Sequence, residues 1–168
     1  MPRKEHPATP PALDDFDRRI LEALQADGRL TNVELADRIG LSPTPCLRRV
    51  KALESAGVIC GYKAVLDRAK VGLGLTIIIG VKIDGHRDEN AEAVQEAFRG
   101  MPEVVACHCV SGESDFLLEA VVPDIASYEA FLFGKLLTLP MVKDIQSNFV
   151  LRRVKESAPL PLVQLSQP

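Results

Sequence analysis

Apolar residues recur at helical spacing over 15–26, where Phe16, Ile20, Leu21 and Leu24 share one side. Asp14, Asp15 and Asp17 stand at the start, where carboxylates favour the positive end of a helix dipole. Asp27-Gly28 stops this helix, and Thr31 with Glu34 three residues on forms a capping box for a second. Val33, Leu35, Ala36 and Ile39 give the second helix its apolar side, and Gly40 supplies the left-handed residue that ends it. A third helix begins at Pro43. Ser42 is placed to cap it, Pro43 fits the first helical position, and Pro45 still falls in the first turn, where N–H groups have no helical partner. Leu47, Val50 and Leu53 form its apolar stripe, which leaves Arg48, Arg49 and Lys51 on its other sides.

The period changes beyond residue 60. Tyr62, Ala64 and Leu66 alternate with Lys63 and Val65, which predicts a short strand over 61–66. Alone it would leave both edges unpaired, a liability unless another strand covers it. The β-branched run 76–83 predicts a strand, and Ala91, Val94 and Phe98 mark one side of a helix over 90–98, closed by Arg99-Gly100 and Pro102. A strand over 104–110, a turn at 111–114 and a strand over 115–122 follow. Asp124 then caps a helix through about 137 carrying Tyr128, Phe131 and Leu132, and a last strand is expected over 142–154. The order βαββαβ is the ferredoxin-like arrangement. With both helices on one face, the other face of the sheet calls for cover by a further copy. The predicted fold class is α+β, with a helix-turn-helix domain at 13–60, a linker strand at 61–70 and a ferredoxin-like domain at 71–155. The tails 1–12 and 156–168 lack periodicity, and four prolines in the first leave it unable to bury enough to order itself.

Composition excludes some classes. No apolar run in the 168 residues approaches the roughly 18 needed to cross a bilayer, and the N-terminus is polar and proline-rich, so a cytoplasmic protein with no membrane partner is expected. The formal net charge of −3 argues weakly against nucleic acid, but its distribution argues for it. Over 44–70, six basic residues (Arg48, Arg49, Lys51, Lys63, Arg68, Lys70) face Glu54 and Asp67, whereas over 84–124 ten acids face only Arg87 and Arg99. Of the four cysteines, Cys107 and Cys109 flank His108 on a strand whose alternation sends His108 to the opposite face, a poor geometry for one shared metal. The cysteines of this strand are expected to be small buried hydrophobes, with no metal or cofactor. No catalytic constellation is apparent, and the histidines are only His6, His86 and His108.

Three short helices with a glycine turn between the last two match the helix-turn-helix, whose second helix enters the major groove of double-stranded DNA by its N-terminal residues. Thr44, Pro45, Cys46 and Arg48 are then the groove-facing set, with Ser42, Arg49 and Lys51 beside them. Arg48 or Arg49 can read guanine with two hydrogen bonds, and the Thr44 and Cys46 amides suit phosphate. Against this stands a docking module with a solvated basic face.

Asn32-Val33-Glu34-Leu35-Ala36, then residues 40–50 (GLSPTPCLRRV) and Leu53-Glu54-Ser55-Ala56-Gly57-Val58-Ile59, closely resemble the Lrp/AsnC, or feast/famine, transcription regulators. The run 110–118 (VSGESDFLL) is similar to that family's ligand-sensing signature, in the expected order and separation. The resemblance implies a winged-type helix-turn-helix followed by a ferredoxin-like RAM sensing domain. It also implies pairing of the linker strand with that of a second chain, and homodimers that assemble into larger rings such as octamers. An amino acid or related metabolite would bind between dimers at Gly112, Glu113 and Asp115, with His108 and Ser147 as further candidates. Glu113 stands where the family pattern has Asp, and Ile145 with Ser147 keeps half of a frequent hydroxyl pair. Some tetrapyrrole-processing (sirohaem-type) decarboxylases share the architecture and form the enzymatic alternative; the intact Ser42-Pro43-Thr44-Pro45 turn and the scarcity of histidine speak against it. A thiol sensor through Cys46 could coexist with regulation.

Overall fold

The computed structural model describes residues 12–84, 88–156 and 158–166, with side chains described except at 88–91 and 166. The expected tail at 1–12, apart from Ala12, lies outside the described residues, as do His6, His86 and the side chain of Ala91. The chain divides into two compact units: one runs to Ala64 and resumes at Lys155, and the other spans Val65–Val154.

The first unit is built on α1 (Asp15–Ala26), α2 (Asn32–Ile39) and α3 (Pro43–Ser55). A reciprocal box opens α1: Asp14 accepts from the Asp17 amide at 2.9 Å, and Asp17 accepts from the Asp14 amide at 3.2 Å. Thr31 and Glu34 do the same for α2, as the spacing predicts. Gly40 ends α2 at φ 74°, a left-handed conformation that costs glycine little. Ile20, Leu21, Leu35, Ile39, Cys46 and Leu53 form the buried centre. Each fully buried aliphatic side chain of this kind contributes roughly 1.5–3 kcal/mol. Val33, expected on the apolar side of α2, is 64% exposed, because the stripe that meets the core is Leu35, Ala36 and Ile39.

This unit is closed by the far end of the chain. The Gln25 amide donates to the Leu160 carbonyl (3.3 Å) and accepts from the Leu160 N–H (2.6 Å). Leu162 and Leu165 pack on the helical core, and a 3-10 turn spans Val163–Ser166. The C-terminal residues read as an arm with no assigned role. Their docking is invisible to periodicity because it uses one backbone clamp and two leucines.

The second unit contains β1 (Leu75–Ile83), α4 (Asp88–Arg99), β2 (Val104–Cys109), β3 (Phe116–Val122), α5 (Ile125–Phe131) and β4 (Val142–Phe149), with a π-helical turn over Leu132–Leu136 after α5. The sheet order is β2-β3-β1-β4 with every neighbour antiparallel, the expected ferredoxin-like arrangement. Alternate residues Ile77, Ile79 and Val81 of β1 and Phe116, Leu118 and Ala120 of β3 pack with Val94, Phe98, Tyr128 and Phe131 of the helices. The Phe98 and Phe116 rings meet edge to face at 5.6 Å.

Two strand expectations are corrected. Residues 61–67 form no strand, since within one chain nothing pairs with them, and Val65 and Leu66 are 81% and 65% exposed. The last strand stops at Phe149 instead of 154, where its register with β1 runs out at Ile77. Beyond it, Arg153 turns to Glu119 and Thr76 on the face of the sheet away from the helices.

If the arm completes the helical core, replacing Leu162 and Leu165 together with alanine should destabilise that unit by about 1–3 kcal/mol. Amide hydrogen exchange should then accelerate in α1 and α2 while the amides of β1 and β3 stay protected; equal acceleration in both units would show a different role.

Candidate functional site

The third helix has one arc for the core and one for solvent. Cys46 and Leu53 are buried and Val50 is half-buried, so the core stripe is Cys46, Val50 and Leu53. Leu47, assigned to that stripe from the sequence, is instead 42% exposed. Thr44, Leu47, Arg48 and Lys51, spaced i, i+3, i+4 and i+7, make the outward face. Arg48 has no hydrogen-bond or ion-pair partner among the described residues, so its guanidinium is free for a ligand.

Three of the expected DNA contacts are corrected. Cys46 is 0% exposed and cannot face a groove, and burial pushes its thiol pKa up. Its amide is spent on the Ser42 carbonyl at 3.2 Å, so it offers nothing to phosphate. Because Pro43 and Pro45 have no N–H, Thr44 supplies the remaining amide of the first turn. Arg49 is a clamp. Its guanidinium bridges Asp14, the N-cap of α1, and Asp17 within it at 2.8 Å each and lies 5.4 Å from the Phe16 ring centroid. Ser42 holds the N-cap position, yet its side chain makes no capping hydrogen bond. The start of the helix is tied down instead by Asn32, whose amide donates to the Pro43 carbonyl at 2.8 Å. Ser42 and Pro45 remain at the exposed and half-exposed end of the helix beside Thr44.

In the second unit the turn between β2 and β3 is set by Gly112 at φ 124°. Asp115 stitches that turn to the end of β1: its carboxylate accepts from the Ile83 N–H at 2.9 Å, and its own N–H donates to the Val81 carbonyl at 3.0 Å. Ser114 folds over Gly80, where an added Cβ would lie 2.5 Å from its Oγ. Glu113, Ser114, Gly80, Lys82, Asp144 and Gln146 line a polar pocket of about 270 Å³. Lys82 and Gly80 are cross-strand partners of Asp144 and Gln146, so four of these residues sit on the face away from the helices.

Of the five expected effector residues, Gly112, Glu113 and Asp115 come together at the turn. His108 pairs across from Leu117, and Leu117 from Gly80, which puts it on the same open face but outside that pocket. Ser147 goes elsewhere: it pairs with Ile79 on the helix-covered face, and its hydroxyl shares a hydrogen bond with the Tyr128 hydroxyl. Lys82, Asp144 and Gln146 were missed; their alternation along two paired strands was the available signal.

The burial expected of Cys107 and Cys109 is corrected, since both are exposed, as is Cys60. Cys107 and Cys109 oppose Leu118 and Phe116 on the helix side of edge strand β2, beyond full cover by α4. Among the described residues no three metal-ligating side chains cluster, and no helix is long and apolar enough to cross a membrane.

A family model for a winged helix-turn-helix DNA-binding domain matches residues 13–59, and one for the Lrp/AsnC ligand binding domain matches residues 76–160. The leucine-responsive regulatory protein of Escherichia coli K12 is 42% identical over 145 residues, covering 86% of this chain and 88% of that one. A transcriptional regulator from Neisseria meningitidis, solved in complex with L-Met, is 44% identical with a TM-score of 0.87 over 91% of this chain and 99% of its own. An AsnC family transcriptional regulator from Agrobacterium tumefaciens is 38% identical with a TM-score of 0.86 over 90% and 99%.

Asp14 connects the clamp to pH. The Asp17 N–H, and then Arg49, hold its carboxyl below the usual value of 3.8. A depressed carboxyl contributes stability above its unfolded pKa, and that contribution disappears as pH falls through the lower folded value. The helical unit should therefore lose stability below about pH 4, and Arg49→Ala should flatten part of that loss in a pH series of thermal midpoints. At the turn, Asp115→Ala should cost the sheet unit about 1–3 kcal/mol by orphaning the Ile83 N–H, while Asp115→Asn, which keeps an acceptor, should cost less in urea denaturation.

Proposed function

This chain belongs to the Lrp/AsnC family of DNA-binding transcriptional regulators, and we propose that it reads double-stranded DNA through the Thr44, Leu47, Arg48 and Lys51 face of α3. The observation that carries this is the division of labour on α3. Cys46, Arg49, Val50 and Leu53 hold the helix to its domain, which leaves an uncommitted basic face at the end of the helix that meets base edges in a helix-turn-helix. Arg48 is the residue for guanine, Lys51 for phosphate, and the Thr44 amide and hydroxyl for the backbone near the helix start.

The effector in this proposal is an amino acid, as the L-Met complex of the Neisseria relative suggests. At the turn that Gly112 and Asp115 shape, Glu113 presents a carboxylate to an α-ammonium, and Lys82 offers a cation for the α-carboxylate. Ser147 drops out of this site because its hydroxyl is committed to Tyr128. Assembly as homodimers and larger rings, with the ligand between dimers, fits the exposed, unpaired segment at 61–67 and the open face of the sheet. The family relatives are regulators, and the decarboxylase alternative finds no support among them.

Binding of the purified protein to its own promoter region across a salt series, with each of the twenty amino acids added in turn, tests both halves. Affinity should fall linearly on a log–log salt plot. Lys51→Ala should make that slope shallower by about one, and Arg48→Ala should cost about 1–3 kcal/mol of discrimination at a guanine. One or more amino acids should shift the affinity, and Glu113→Gln should remove that shift while leaving effector-free binding intact. Binding that is neither specific nor salt-dependent would overturn the DNA reading; a shift that survives Glu113→Gln would overturn the placement of the effector.

A further inference from the structure

The outward face of α3 carries a leucine among its polar residues. Single exposed apolar side chains are common on proteins, so exposure by itself says little. Leu47 differs in its company: Thr44, Arg48 and Lys51 surround it on the face that has no part in holding the helix. Its side chain is 42% exposed, while the core contacts of α3 are made by Cys46, Val50 and Leu53.

Its position along the helix matters as much. Leu47 is the fifth residue of α3, about 6 Å along the axis from Pro43, within the first two turns that meet base edges when such a helix docks. In the major groove, G·C pairs present hydrogen-bonding groups, whereas each A·T pair adds one methyl, on C5 of thymine. A leucine pressed against amino and carbonyl groups would take them out of water without pairing them, which is costly. Against a methyl it buries carbon on carbon.

We propose that Leu47 is a specificity-determining residue that closes on the C5 methyl of a thymine in the operator, next to a guanine read by Arg48. The inference rests on the DNA-reading role of α3 proposed above and adds the base that one of its side chains selects. Leu47 and Arg48 are successive residues, about 100° apart around the helix and 1.5 Å apart along it. Base pairs stack every 3.4 Å, so the thymine and the guanine fall on the same or neighbouring base-pair steps.

Uracil isolates the contact, because it differs from thymine by that methyl alone. A duplex enriched by the wild-type protein from a randomised pool would be remade with each thymidine replaced singly by deoxyuridine. Wild-type affinity should fall roughly fourfold at one thymine position in a half-site, the value of burying one methyl-sized group. Leu47→Ala, which folds because the position is half-exposed, should bind the unmodified duplex more weakly, keep its salt slope, and be indifferent to uracil at that position. Leu47→Met, with an apolar tip, should recover part of the uracil penalty. A wild-type protein indifferent to uracil everywhere, or a Leu47→Ala variant that keeps the wild-type penalty, overturns the proposal while leaving DNA binding standing. Failure of the wild-type protein to enrich any duplex overturns the DNA-reading role, and this assignment with it.

Discussion

The guanidinium of Arg49, held by the cap residue Asp14 and by Asp17 of α1, joins the buried Cys46 and Leu53 in fixing which arc of α3 faces solvent. A helix has 3.6 residues per turn, so fixing Arg49 and burying Cys46 and Leu53 on neighbouring positions leaves one complementary arc for solvent. Thr44, Leu47, Arg48 and Lys51 occupy it. The clamp is partly exposed and its energetic worth is modest for that reason; its consequence is orientation. Arg48 is available for a base because its neighbour is committed, and two adjacent arginines that look equivalent on paper have opposite duties.

The sheet obeys the same logic with a period of two. In β4, Ser147 points to the helices and bonds Tyr128, while its neighbour Gln146 points to the open face beside Gly80. A polar group on the covered face must find its partner within the domain, whereas those on the open face can wait for a ligand or another chain. Asp115 bridges the two roles. Its carboxylate accepts the Ile83 N–H beyond the last rung that β1 shares with β3, and this holds the Glu113 turn over the strand end where Lys82 lies.

Most of the architecture was legible because each signal was local: the Thr31 capping box, the Gly40 stop, the proline start of α3 and the βαββαβ order follow from near neighbours. The site was less legible because its assignments depend on partners distant in sequence. Nothing near Arg49 announces that Asp14 and Asp17 lie within 2.8 Å. The apolar stripe of α3 could be drawn through Leu47 or through Cys46, one residue apart, and a small thiol was the weaker-looking core residue. Ser147 was placed by likeness to relatives, when counting along β4 from Ile145 already puts it on the covered face. The alternating segment 61–66 shows the converse limit: its pattern is that of a strand, but a ladder needs a second edge that a single chain does not provide.

The arm adds a constraint on how sensing could reach reading. The helical unit is assembled from both ends of the chain, so the sheet unit is an insertion within it, entered near Ala64 and left near Val154. The exit is anchored on each side, by Arg153 on Glu119 in the sheet unit and by Leu160 on Gln25 in the helical unit. Only six residues of sequence, 154–159, lie between those anchors, a short tether. A ligand alters DNA affinity only by binding two states unequally, and the two states must differ in something the reading unit can feel. A rearrangement at the end of β4 is taken up in that short tether or it unseats Leu162 and Leu165 from the helical core, and the second course costs apolar burial in the unit that carries α3.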